Sequence, residues 1–464
     1  MAVYLGSNQV DMLGGDGIPS AYLIPSGTYS ISQNGTYDVG SYKSVGVSVF
    51  DTEDEIIART ISVYENSRIS LIGPYAFRDC SNLTSINFPN CTYIGSYAFV
   101  NCFNLISVNF PKCTSIGYYA FMSCDKLIQI SFPNCTSIDY GVFNYCSGLI
   151  SVDFPSCISI GDYAFYNCSL LTSTSFPLAT TIGSYAFYSC SRISLIDLPS
   201  VETIYDYTFA NCSSIISISF PKCNYIGRYA FQSCGGLTIV NGPLVSTISG
   251  FAFRSCSNLT SVNFPNCVTI GESAFYSCGA LTTINFPTVT SIYSSAFGRC
   301  SSLTVANFPL VTTTSASVFG DCRALTTISF PNCTYIGSGA FNTCTSLTSV
   351  DFPNCVSIGQ SAFSSCYSLT TASFPKLISM GQYTFTSCYH LLSLYLLGSS
   401  VVTSLGYGAF YSTPISNYTT STGGVYGSIY VPASLYNDYI TATGWSVYSA
   451  RIVSLTDVEI AALN

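Results

Sequence analysis

Twenty-three cysteines and one histidine are the residues of this chain with the most chemical potential. The cysteines are not scattered. Fifteen recur every 22 residues from Cys80 to Cys388, and eight more share the position of Cys91. Thiols can ligate metals, pair as disulfides or act as nucleophiles, and each role has its own spacing. No Cys-x-x-Cys pair occurs, and His390 alone cannot complete a set of zinc sites. An odd count leaves at least one thiol free, and neighbours stacked in register are poorly oriented for a bridge. At the Cys91 position Ala179, Val201, Val245 and Leu377 substitute freely, as apolar packing allows and ligation does not. The cysteines therefore read as buried free thiols. His390 lies between Tyr389 and Leu391, so a Ser-His or Cys-His dyad has one place to form. A structural or surface histidine is the simpler reading there. Gly14-Gly15-Asp16-Gly17 lacks the lysine and helix of a phosphate loop. The acidic run Asp51-Thr52-Glu53-Asp54-Glu55 reads as a solvated linker or helix start. No enzyme, cofactor or metal is expected.

What positions the cysteines is a repeat. Phenylalanine stands at every twenty-second residue from Phe77 to Phe385, and proline from Pro89 to Pro375, without a gap. Phe precedes that proline except at Leu198 and Gly242. No helical period fits Leu83, Ile86 and Phe88, whereas alternate residues of a strand do. Leu83 enters the core, Ile86 and Phe88 follow on a short strand, and Pro89 ends it for want of a ladder donor. Cys91 and Ile94 return inward, Gly95 allows a tight turn and is open to positive φ, and Ala98 and Phe99 close the coil. Parallel strands about 4.8 Å apart stack fifteen such coils into a rod of about 70 Å. One coil cannot bury its own faces, so stability is collective.

The predicted layout has four parts. Residues 1–50 form a small β module, with a hairpin signal at Asn34-Gly35. Residues 51–72 form the N-terminal edge of the array, 73–413 the solenoid, and 414–464 a C-terminal cap. In the cap Gly427–Pro432 reads as a last strand, Ser434 as the cap of a short helix over Leu435–Ala442, and Trp445 as part of a lid. Charged residues make up 8% of the chain against 48% hydrophobic, with a net charge of −8. Lys112, Lys126, Arg192, Arg228, Arg254 and Arg299 stand alone in sequence, which argues against nucleic acid. No run reaches the length of a membrane span, and the N-terminus carries no Sec-type signal.

The unit Ile-Gly-x-x-Ala-Phe-x-x-Cys-x-x-Leu-x-x-Ile-x-Phe-Pro-x-Cys resembles the BspA-type leucine-rich repeat over about residues 73–413. Val431-Pro432-Ala433-Ser434-Leu435, with Tyr439, Trp445 and Ile452, looks like the segment that closes such arrays. The resemblance implies a curved solenoid with a parallel sheet and a role in surface binding or adhesion. Phe-Pro replaces the commoner Leu-Pro, a change in packing. Val3–Asn8 and Asn34–Val39 look like segments of prophage structural proteins, which implies an alternative role in a phage or prophage particle.

Two faces remain for binding. Outward strand positions include Asn87, Asn109 and Asp153 among many serines. A tyrosine stripe runs through Tyr97, Tyr119, Tyr163, Tyr185, Tyr207 and Tyr229, then gives way to Phe251 and serines such as Ser273 and Ser295. Rows of like residues also follow from duplication, and stacking alone would account for them. Yet tyrosine beside serine resembles the chemistry of antibody paratopes. The expected partner is a protein or glycan on another cell or matrix, met at the cell surface, outside the cell or on a virion.

Overall fold

A computed structural model of the chain describes residues 69–463 and the short strands Val3–Leu5, Asn8–Val10, Tyr29–Ile31, Tyr37–Asp38, Ser44–Val45 and Val63–Glu65. The glycine run at 14–17, the Asn34-Gly35 turn and the acidic run at 51–55 lie outside the described residues.

Each repeat folds as a coil with three hydrogen-bonded sides. The first is a three-residue strand such as Ser85–Asn87, with Ile86 inward and its neighbours facing out. Phe88 follows into the core, and the chain turns at Pro89. The second side is a two-residue strand such as Tyr93–Ile94, where the sequence predicts only an inward turn. The third is a ladder of turns. Tyr97, Phe99 and Asn101 donate their amides to Tyr118, Ala120 and Met122 of the next coil at 2.8, 2.7 and 2.9 Å. The amides between them close local turns, Ala98 to Gly95 and Val100 to Tyr97, both at 3.3 Å. This alternation requires left-handed backbone at Tyr97 (φ 59°) and Asn101 (φ 62°), and the same pair recurs along the array. Such a conformation costs a residue with a side chain about 1 kcal/mol or more. The inter-coil hydrogen bonds offset it.

The left-handed backbone that the sequence allows at Gly95 falls instead at Tyr97. Gly95 is glycine for another reason. A Cβ there would lie 2.5 Å from Gly73 C and Pro74 N of the preceding coil. Gly271 is packed the same way, 2.4 Å from Gly250 N and 2.5 Å from Ser249 C. Gly271→Ala is expected to lower stability by about 1–3 kcal/mol, read as a fall in the urea midpoint.

The chain divides into two compact units, Met1–Cys223 with Ala230–Leu237, and Asn224–Tyr229 with Thr238–Asn464. In the first, Val63–Glu65, Ser85–Asn87 and Ser107–Asn109 pair in parallel at the 22-residue register. Val63–Glu65 lies in the segment 51–72, read from the sequence as the N-terminal edge of the array, and carries the same register. Gln129–Ser131, Ser151–Asp153, Ser173–Ser175 and Leu195–Asp197 continue it. Phenylalanine rings stack from Phe77 on Phe99 at 5.1 Å to Phe209 on Phe231 at 5.3 Å. Val3–Leu5 pairs antiparallel with Asn8–Val10, and Tyr37–Asp38 with Ser44–Val45. Tyr29–Ile31 instead pairs in parallel with Ile69–Ile72.

In the second unit the phenylalanine stack runs from Phe253 on Phe275 at 5.2 Å to Phe385 on Phe410 at 6.0 Å. Ser428–Pro432 adds in parallel to Ser393–Tyr395, and Ile452–Leu455 adds to it in turn. Trp445 is buried over the last coil, donating its indole N–H to Val402 O at 2.8 Å. Tyr439 accepts from Val402 N through its hydroxyl at 3.1 Å. Ser434 does not cap the helix. The helix is Tyr436–Thr441, its N-cap is Leu435, and Ser434 sits in the preceding turn Ala433–Leu435.

Candidate functional site

All 23 cysteines are free thiols and buried. Thiols of the first ladder donate to the carbonyl of the phenylalanine 25 residues earlier, for example Cys102 to Phe77 at 3.0 Å and Cys388 to Phe363 at 3.1 Å. The role is structural. The thiol adds a second donor to a carbonyl that already accepts the amide of the cysteine three residues on, as Phe77 O does from Cys80 N at 3.3 Å. Burial pushes Cys234 up to about 12, far from a reactive thiolate. His390 spends its Nδ1 on Tyr367 O at 2.7 Å, while Cys388, two residues away, points into the core. Among the described residues, no group of three or more His, Cys, Asp or Glu side chains could hold a metal ion. No helix there is long and apolar enough to cross a membrane.

The tyrosine stripe forms in the first unit as a half-buried stack. Tyr75 lies on Tyr97 at 5.0 Å, Tyr97 on Tyr119 at 5.3 Å, Tyr163 on Tyr185 at 4.8 Å and Tyr185 on Tyr207 at 4.5 Å. Gly141 interrupts the row because the ring of Tyr119 lies across it, where a Cβ would approach within 2.4 Å. Tyr140 fills the gap, 5.2 Å from Tyr119 and 5.3 Å from Tyr163. Burial, then the Tyr140 hydroxyl, pushes Tyr119 up to about 12, and burial with Tyr207 and Tyr163 does so for Tyr185. These hydroxyls stay neutral at physiological pH. Tyr229 belongs to the second unit and stacks on Phe251 at 4.6 Å.

The strand-face residues make polar ladders. Asn109 donates to Asn87 Oδ1 at 2.8 Å, and Asp153 accepts from Ser131 at 2.8 Å. Asn109 and Asp153 are exposed, and Asn87 is half-buried.

Three features escape the one-position-per-coil reading. Tyr145, Tyr166 and Tyr188 form a second row beside the stripe, with Tyr166 on Tyr188 at 4.9 Å and on Tyr163 at 5.6 Å. They stand three or four residues after stripe positions, and following that offset through the repeat would have found them. Tyr407, Tyr411, Tyr418 and Tyr448 line an open cleft of about 690 Å³ near the C-terminal cap. Arg228, Arg254 and Arg299, isolated in sequence, interleave with aromatic rings in the second unit.

Residues 44–172, 136–247, 225–333 and 312–425 match the family model described as the BspA type leucine rich repeat region. The chain belongs to the BspA-type leucine-rich repeat family. No curated protein matches the sequence. Among solved structures, a leucine-rich repeat protein from Bacteroides ovatus is similar at 25% identity over 72% of this chain and 86% of that one, with a TM-score of 0.50. A leucine rich cell surface protein from Faecalibacterium prausnitzii is 23% identical over 71% of this chain and 94% of that one, with a TM-score of 0.35. Family and fold are those of a repeat solenoid, an architecture whose extended faces serve interaction.

Proposed function

We propose that this BspA-type solenoid is a non-enzymatic recognition and adhesion protein, acting at the cell surface or outside the cell. It binds a protein or glycan of another cell or matrix through its tyrosine face, with the serine and asparagine strand face as a second contact. The observation that carries this reading is the double row of half-buried rings made by Tyr163, Tyr166, Tyr185, Tyr188 and Tyr207. Stacking pre-orders these side chains, so little rotamer entropy is lost on binding. Their neutral hydroxyls offer donors and acceptors around an apolar plate.

Serine occupies the same left-handed position at Ser273 and Ser295, with φ of 51° and 55°. Tyr119, Tyr163 and Tyr185 can therefore be changed to Ser together without a new demand on the backbone. On glycan arrays and immobilised matrix proteins, that triple variant is expected to lose at least about tenfold in affinity for whatever the parent chain binds, since rigid aromatic anchors dominate such contacts. Unchanged binding would remove the tyrosine face from the function.

A further inference from the structure

The tyrosine stripe ends in the second unit, and a different chemistry takes its place there. Arg228 lies over Tyr229 at 5.1 Å and over Phe251 at 4.9 Å. Arg254 lies over the same Phe251 and over Tyr276, both at 5.6 Å. Arg299 covers Tyr276 at 5.5 Å. Cations and rings thus alternate along one line: Tyr229, Arg228, Phe251, Arg254, Tyr276, Arg299. The line continues through Asp321, 3.9 Å from Arg299 and 3.5 Å from Arg323. Arg299 and Arg323 are about two-thirds exposed, and an open hollow lies among Arg299, Ser301, Asp321 and Arg323. Four of the chain's fourteen basic residues stand on this strip, in a protein of net charge −8. The acids of this stretch are Asp321, Glu272 two coils beyond Arg228 at the same repeat position, and Asp206 one coil before it, three against the four arginines. The strip keeps an excess of positive charge where the molecule as a whole is acidic.

We infer that this arginine–aromatic strip binds an acidic polysaccharide bearing carboxylate or sulfate groups. Stacking the Arg254 and Arg299 guanidinium groups on Tyr276 fixes their planes and leaves N–H groups at their edges to donate outward, the geometry that holds carboxylate or sulfate through paired hydrogen bonds. The aromatic faces are themselves covered by guanidinium groups, so they are not free to stack nucleobases, which sets single-stranded nucleic acid aside. The cations are spread over several coils about 4.8 Å apart, which suits a polymer with recurring charge better than one small anion. Ser295 and Ser317 occupy the stripe position along this stretch and add hydroxyls of the kind that pair with sugar hydroxyls. The strip's residues all belong to the second unit and the triple tyrosine variant leaves them unchanged, so the two readings stand or fall apart.

The test is binding of the full chain to polygalacturonate and heparin, with neutral dextran, polyglutamate and single-stranded poly(dT) as comparators, at 20 and 200 mM NaCl. At least one acidic polysaccharide is expected to bind and to weaken severalfold at the higher salt. Dextran is expected not to bind, and the other two polyanions to bind at least tenfold more weakly. Arg254→Gln with Arg299→Gln should reduce the binding at least tenfold, with an unchanged melting temperature. The Tyr119, Tyr163 and Tyr185 to Ser variant should bind the polysaccharide as the parent does. The inference is overturned if neither polysaccharide binds, if the arginine variant binds as the parent does, or if polyglutamate or poly(dT) binds as tightly.

Discussion

Raising the pH from 8 to 10 is expected to unfold this protein at much lower urea concentrations than at neutral pH. The cause is the thiol ladders. Burial raises Cys91, Cys234, Cys267 and Cys355 from 9.0 to about 12, and Cys157 and Cys333 to about 11. Below pH 9 these thiols are protonated in both folded and unfolded chains and favour neither. Between pH 9 and their folded values only the unfolded chain releases the protons, so folding stability falls by about 1.4 kcal/mol per pH unit for each thiol. Six such groups remove about 8 kcal/mol by pH 10, comparable to the whole stability of an ordinary domain. The measurement is the urea midpoint at half-unit steps of pH, paired with thiol counting by a colorimetric disulfide reagent at pH 8. The native chain should react at almost no cysteine and the urea-unfolded chain at all 23. A midpoint that stays level to pH 10, or oxidised pairs in the unreduced mass, would show that the ladders are not buried free thiols.

Phe297→Ala should be among the most damaging single changes in the second unit. The ring is wholly buried and stacks on Phe275 at 5.2 Å and Phe319 at 5.4 Å. It also meets Phe286 at 6.0 Å and Phe308 at 5.7 Å, so four aromatic neighbours line the space it would vacate. Those rings belong to coils fixed by their own ladders and cannot collapse inward to fill the cavity. The expected cost is about 3–5 kcal/mol, at the upper end for a buried aromatic. Because coils stabilise one another through nearest-neighbour contacts, the loss should appear as an earlier or split urea transition. Leu310→Ser makes a control in the same unit, since Leu310 is 47% exposed and should change stability by no more than about 0.5 kcal/mol. Equal effects from the two variants would contradict the packing described.

The period of 22 determined a great deal by itself. Residues spaced by one coil must lie above one another in a stacked array, so the Phe, Cys and Pro ladders, the burial of the Phe and Cys ladders and the outward Ser and Asn positions follow from spacing alone. The thiols of the Cys91 ladder read as core packing for the same reason, because Val201 and Leu377 take the place of cysteine there and a ligand position would not allow it.

Tertiary structure decided what depends on offsets other than one coil and on backbone conformation. Tyr97 and Asn101 are left-handed because alternate amides must reach the next coil, a requirement no residue preference announces. Gly95 is glycine because another backbone passes 2.5 Å from where its Cβ would sit, and a distance between coils is not written in one coil. Tyr140 joins the stripe from the neighbouring position, since side chains bridge a missing ring by proximity and not by period. Arg228, Arg254 and Arg299 stand 26 and 45 residues apart, off the repeat, and read as isolated charges until the coils set each over an aromatic ring. The scaffold is periodic and therefore legible in one dimension. The surfaces that recognise a partner break the period, and only the packed coils bring their residues together.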